Sequence, residues 1–150
     1  MRVVIQRVAH ADVVANGQLS GKIGKGLLVL VGFEHADDTT DVDWMALKLV
    51  QMRIFADEQG LMNLSVADIH GEILVVSQFT LHAATKKGNR PSFIAAARPE
   101  QAQMLYDYFI KQVHQALGRP VQTGVFGADM QVSLQNDGPV TIFIDSKNKQ

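Results

Sequence analysis

Polar side chains able to do chemistry stand first at the end of one apolar run, where Leu74, Val75 and Val76 are followed by Ser77, Gln78, Phe79 and Thr80. Two hydroxyls and an amide placed there either pair with neighbouring backbone or face a ligand, because an unpaired buried polar group costs about 1–3 kcal/mol. The segment by itself leaves both readings open. His82 comes two residues after Thr80, so the two would share a side if the strand continues, as a hydroxyl nucleophile and its base. Ser77 is not flanked by glycine as a nucleophile elbow requires, and no Walker-type phosphate loop is present. His10, His35, His70, His82 and His114 lie on separate segments without metal-ligand spacing, so no metal site and no cofactor are expected. A second informative pair is Gly138–Pro139, which precedes a β-rich run and whose peptide isomer sequence physics leaves open.

The elements that must position these residues follow from pattern. Arg2 to Val14 is Val-rich and partly alternating, Asn16–Gly17 is a hairpin signal, and Gln18 to Ile23 is the partner strand. Leu27 to Val31 reads as a second fully buried strand. Asp37, Asp38 and Thr39 are cap candidates for a helix whose apolar face is Val42, Met45, Ala46, Leu49 and Met52. Arg53 to Phe55 and Met62 to Leu64 are short extended pieces around an Asp57–Gly60 turn, and the Leu74 run, extending towards Leu81, is the central strand. Thr85 to Pro91 is a basic connection carrying Lys86, Lys87 and Arg90. It is either a solvated surface or, given its place beside the strand end, a phosphate contact. Pro99 opens a second helix with its face at Ala102, Leu105, Tyr106, Phe109, Val113, Ala116 and Leu117, closed by Gly118 and Pro120. Val121–Gly124, Met130–Leu134 and Val140–Ile144 are strands, the last two separated by an Asn136–Pro139 turn, and the tail Lys147–Gln150 is expected to fray. The sum is one α+β domain over residues 1–150, with a mainly antiparallel, barrel-like sheet and two main helices.

Composition narrows the function classes. At 150 residues and 47% hydrophobic the chain can bury a core unaided, and with no cysteine it offers no thiol chemistry. No apolar run approaches the ~20 residues of a membrane span, and the N-terminus is broken by charge too early for a signal peptide, so a cytoplasmic protein without membrane contact is expected. A net charge of −1 argues against extended nonspecific DNA binding more than against contact with one RNA end.

Taken together the motifs resemble the D-aminoacyl-tRNA deacylases. Ser77-Gln78-Phe79-Thr80 after a Leu-Val-Val strand, Gly88-Asn89-Arg90-Pro91-Ser92-Phe93, and Asn136-Asp137-Gly138-Pro139-Val140-Thr141 carry the likeness, with Ile5–Val8, Gly26–Gly32, Met52–Phe55, Met62–Leu64 and Gln122–Gly124 colinear around them. The resemblance implies a homodimer with its active site at the interface, where a cis Gly138–Pro139 pair reaches into the partner's pocket. Its carbonyl oxygens would leave room at the substrate α-carbon for hydrogen or a D side chain but not for an L side chain. Glycine escapes such a device, so glycyl-tRNA, including glycine misattached to tRNA(Ala), is an implied substrate alongside D-aminoacyl-tRNA. The implied partner is the 3′-terminal adenosine of tRNA with its amino acid, and Met130 matches the segment that packs near the adenine. Catalysis would use either the Thr80 hydroxyl as nucleophile or backbone N–H groups near Phe79 and Thr80 with the RNA 2′-hydroxyl assisting water; the second is favoured, because no catalytic dyad is visible. The chain departs from the family pattern at the pocket rim: many bacterial members carry an acidic residue at the place of Ala84, and the place of His82 is variable. The competing reading from another class is a noncatalytic dimeric module that binds a nucleic-acid end through Lys86, Lys87 and Arg90.

Overall fold

The computed structural model describes residues 1–150. Its longest connection is between β1 (Arg2–Ala15) and β8 (Met130–Asp145), which pair antiparallel from Arg2–Asp145 to Ala15–Met130 with two interruptions of register. The other edge of β1 is shared by β2 (Gln18–Ile23), which meets residues 11–15, and β3 (Gly26–Gly32), which meets residues 2–8. The sheet then continues through β6 (Glu72–Ser77) to β7 (Gln122–Thr123). It curls until the Ser20 hydroxyl of β2 donates to the Thr123 carbonyl of β7 at 2.8 Å, so the barrel is nearly closed. A separate ribbon pairs β4 (Phe55–Ala56) with β5 (Met62–Leu64).

The sheet is mixed. The expected antiparallel pairing holds around β1, whereas β3–β6 and β6–β7 are parallel. Parallel neighbours need a crossover of a dozen or more residues, usually helical. The two helices supply those crossovers: α1 (Thr39–Gln51) lies between β3 and β6, and α2 (Pro99–Leu117) lies between β6 and β7. The Asp38 side chain accepts from Thr40 and Asp41, and the Asp41 side chain accepts from the Asp38 N–H, so α1 starts in a capping box. Gly118, at φ +75°, ends α2 in the left-handed conformation.

Side-chain alternation on β6 produces two cores. Ile73 and Val75 face the helices, in a cluster with Met45, Leu49, Phe109 and Val113; Leu74 and Val76 face the barrel interior with Val8, Val13, Ile23 and Leu28. Burial of β6 on both faces is therefore as the apolar run implies.

Three local expectations are corrected. The central strand stops at Ser77, and Phe79–His82 turns away as a 3₁₀ turn instead of extending to Leu81. Met130–Leu134 and Val140–Ile144 are halves of one strand, not two strands about a reversal. Val8 pairs with Asn136 and Gln6 with Thr141, so Asp137–Val140 are looped out opposite the single residue Arg7 as an enlarged bulge. The tail is also tied: the Lys147 ammonium donates to the Asp41 carboxylate at 2.7 Å, and the Lys149 ammonium lies 4.4 Å from the Trp44 ring centroid.

Candidate active site

Where β6 ends, Gln78 donates its N–H to the Val31 carbonyl at 2.7 Å, the last bond to the neighbouring strand. The chain then tightens. Leu81 N–H donates to the Gln78 carbonyl, Ala83 N–H donates to the Thr80 carbonyl, and the Arg2 guanidinium donates to the Leu81 carbonyl at 3.0 Å. A turn of this kind leaves its leading N–H groups, here those of Phe79 and Thr80, without a partner inside the turn.

The turn separates the two side chains that the sequence pairs as nucleophile and base. Thr80 is exposed, and its hydroxyl accepts from the Gln78 amide at 2.5 Å. His82 is only 3% exposed, and neither of its ring nitrogens makes a hydrogen bond; the Glu34 carboxylate lies 4.0 Å from Nδ1. A base must lie within hydrogen-bond reach of the proton it takes. The Thr80–His82 pair is thus not formed, because a 3₁₀ turn does not keep the two-residue periodicity of a strand.

Ser77, Gln78 and Phe79 instead wall a cavity of about 670 Å³, within the 300–1,000 Å³ usual for small-molecule sites. Val31, Gly32 and Phe33 continue the wall from β3, and Phe126 to Met130 face them. Met130 reaches this position because Gly124 is bare: a Cβ there would lie 2.5 Å from the Met130 sulfur. The Met130 side chain also packs against the barrel core, so it serves both structure and cavity. Phe93 closes the mouth edge-on to Phe79, at 5.1 Å between centroids, although Phe79 remains 57% exposed. Beneath, the Tyr106 hydroxyl donates to the Val75 carbonyl at 3.1 Å and its ring lies 5.5 Å from that of Phe126, bracing strand and cavity wall together. Burial pushes the Tyr106 phenol far above its usual range, so it stays a neutral donor. Arg98 and Asp129 are the only charged residues in a mostly apolar wall. Sequence pattern gives Phe93, Arg98, Phe126 and Asp129 no role as site residues; the only signal for them is that Phe93 ends the Gly88–Phe93 motif and Asp129 directly precedes Met130.

Gly138 and Pro139 do not join this cavity. Their peptide bond is cis, and both are exposed on the bulge of β8. Gly138 has φ +130°, a region that side-chain-bearing residues avoid, and a Cβ there would lie 2.9 Å from an Arg7 guanidinium nitrogen. That guanidinium holds the bulge: Nε donates to the Asp137 carbonyl at 2.9 Å, and Nη1 donates to the Ile54 carbonyl at 2.7 Å. No cluster of three metal-binding side chains occurs anywhere in the chain.

Known proteins share both sequence and architecture with the chain. The profile of the family described as D-Tyr-tRNA(Tyr) deacylase matches residues 4–145. A protein of Dechloromonas aromatica named D-aminoacyl-tRNA deacylase is 62% identical over 147 residues, 98% of each chain. A Parabacteroides distasonis protein of the same name is 60% identical over 150 residues, the whole of both chains. Among solved structures, one named c-Myc DNA Unwinding Element Binding Protein superposes with a TM-score of 0.91 at 42% identity, covering 97% of this chain and 98% of that one. A probable eukaryotic D-amino acid tRNA deacylase superposes at 0.82 and 21% identity, covering 95% and 97%, which bears on the fold alone.

Proposed function

Because the chain belongs to the D-Tyr-tRNA(Tyr) deacylase family, a family of ester hydrolases, we propose that it cleaves the ester between a D-amino acid and the 3′-terminal adenosine of tRNA in the cytoplasm, acting as a homodimer. The whole chain, residues 1–150, is the deacylase domain. In this reading the cavity accepts the terminal adenosine and its amino acid, with Met130 against the adenine.

The observation that carries the reading is the separation of the two motifs. Ser77–Phe79 wall a cavity, while Gly138–Pro139 stand exposed on a clamped bulge outside it. An exposed loop held by Arg7 on one copy can reach the open side of the cavity on another when two copies meet. β8 supports such a meeting. It pairs only with β1 and leaves its other edge open, and Phe143 on it is 56% exposed. The partner's Gly-Pro carbonyls would then stand over the substrate α-carbon, tolerating hydrogen or a D substituent and crowding an L one. Glycine attached to tRNA, including tRNA(Ala), would pass the same filter.

For the chemistry, the leading N–H groups of Phe79 and Thr80 are the donors for the oxyanion that forms when water attacks the ester carbonyl. The 2′-hydroxyl of the terminal ribose positions that water, and the proton leaves with the 3′-oxygen of the tRNA. The absence of a hydrogen-bonded base beside Thr80 supports this route over a hydroxyl nucleophile. D-tyrosyl-tRNA should be hydrolysed and L-tyrosyl-tRNA spared; equal rates would end the chirality argument. A second reading, a nucleic-acid-binding module without hydrolysis, draws on the name of the 42%-identical structure. Binding of D-tyrosyl-tRNA without shortening the lifetime of its ester would favour it.

A further inference from the structure

Between Glu72 and Glu100 lie 27 residues without a single Asp or Glu, the longest such stretch in the chain. They include the strand end, the 3₁₀ turn and the Phe93 side of the cavity, and they carry Lys86, Lys87, Arg90 and Arg98. In a chain of net charge −1 this places a positive excess on one side of the site and leaves the remainder acidic. All four side chains are exposed, and none makes a hydrogen bond or ion pair. Arg2, Arg7 and Arg119, by contrast, are each engaged by carboxylate or carbonyl oxygens.

The loop bearing three of these cations has a fixed base. Ala84 and Ser92 exchange backbone bonds at 2.8 and 2.9 Å, and Ser92 runs directly into Phe93 at the cavity mouth. Arg98, in the cavity wall, is the fourth. Unpaired cations on the loop beside a pocket mouth and in the pocket wall, with no acid in the sequence between them, are complementary to a polyanion whose end enters the pocket.

We propose that Lys86, Lys87 and Arg90, with Arg98 at the mouth, form a phosphate-binding strip that holds the single-stranded 3′ end of the tRNA while its terminal adenosine occupies the cavity. This rests on the deacylase reading and adds to it a surface for the RNA backbone. The strip contacts phosphates and not bases, so it raises affinity for any tRNA without choosing among them. It also gives a net-acidic protein a local means of engaging RNA.

The test compares two substrates of one ester chemistry, D-tyrosyl-tRNA and 3′-D-tyrosyl-adenosine, which has no phosphate. In the triple variant Lys86→Ala, Lys87→Ala, Arg90→Ala, the ratio of kcat/KM on the tRNA ester to that on the adenosine ester should fall about tenfold, through KM. The slope of log KM against log salt should become shallower by roughly 0.7 for each single-strand phosphate that the variant no longer neutralises. The charge-keeping variant Lys86→Arg, Lys87→Arg should retain the wild-type ratio. An unchanged ratio and salt slope in the triple variant, with both esters still hydrolysed, overturns the strip alone. Equal losses on the two esters also overturn it, since they mark damage to the pocket. If the wild-type protein hydrolyses neither ester, the deacylase reading itself fails and the strip with it.

Discussion

Replacing Thr80 by alanine separates the two chemical routes by magnitude. The Thr80 hydroxyl is exposed and makes one hydrogen bond, accepted from the Gln78 amide at 2.5 Å. Losing such a bond is worth about 0.5–1.5 kcal/mol, which corresponds to roughly 2- to 10-fold in rate if the whole effect reaches the transition state. Removing a true hydroxyl nucleophile costs on the order of 10⁶-fold. The backbone N–H of residue 80 survives the substitution, so the route through Phe79 and Thr80 N–H groups expects a loss of about tenfold or less. Single-turnover hydrolysis of D-tyrosyl-tRNA measures it, with thermal unfolding as the check that the turn still folds. A loss beyond about 10⁴-fold in a folded variant would refute the backbone route and restore Thr80 as the nucleophile.

Other perturbations follow from the same geometry. His82→Leu removes two buried ring nitrogens that have no partner, so urea unfolding should show stability unchanged or higher by up to about 2 kcal/mol. Deacylation should persist, and its abolition would return the imidazole to the mechanism. Gly138→Ala forces a side chain into a φ of +130° and against the Arg7 guanidinium; strain of about 1–3 kcal/mol should be visible as a lowered unfolding midpoint, with kcat/KM on the D-ester down at least tenfold. An unchanged midpoint and unchanged activity would remove Gly138 from the account. Burial alone would raise the Asp41 carboxyl, but hydrogen bonds from Lys147, the Asp38 N–H and Ser146 bring it down to about 2 from 3.8. Its stabilisation is therefore present above about pH 4 and lost as pH falls towards 2; discounted for the half-exposed Lys147, it is about 1–2 kcal/mol. Asp41→Asn should lower the neutral-pH melting temperature by about 2–8 °C, and the difference from wild type should close near pH 2. A gap that stays constant down to pH 2 would contradict the role of the ionised carboxylate.

Residue order is legible where local and global preferences agree. Leu74–Val76 reads as a doubly buried strand because both faces are in fact covered, and α2 is bounded by Pro99 and Gly118, whose backbone preferences act locally. Pattern and structure part where distant contacts decide. Phe79–His82 has strand-like composition, yet β3 has no further residues to pair with it and Arg2 draws the Leu81 carbonyl into the turn. Asn136-Asp137-Gly138-Pro139 carries a strong turn signal, but the length of β1 keeps both flanks in one strand and Arg7 holds the excess as a bulge. The tail is anchored by Asp41, which local pattern cannot connect with Lys147. At the site, the motifs point to Ser77–Phe79 and Met130, while Phe126 and Arg98 join the cavity through tertiary packing that no short spacing encodes.

The central claim is that one subunit's strand end works with another subunit's Gly138–Pro139 loop, and subunit mixing tests it most directly. Phe79→Pro removes the leading N–H with a φ suited to the first position of a turn, and Gly138→Phe would obstruct whichever site the bulge enters. Each should be inactive alone. Unfolded and refolded together in equal amounts, half the dimers are mixed, and in each of these one site combines two intact parts. Activity on D-tyrosyl-tRNA should then return to about a quarter of the wild-type value. A mixture as inactive as its components, or a protein that sediments as a monomer while fully active, would contradict the shared site.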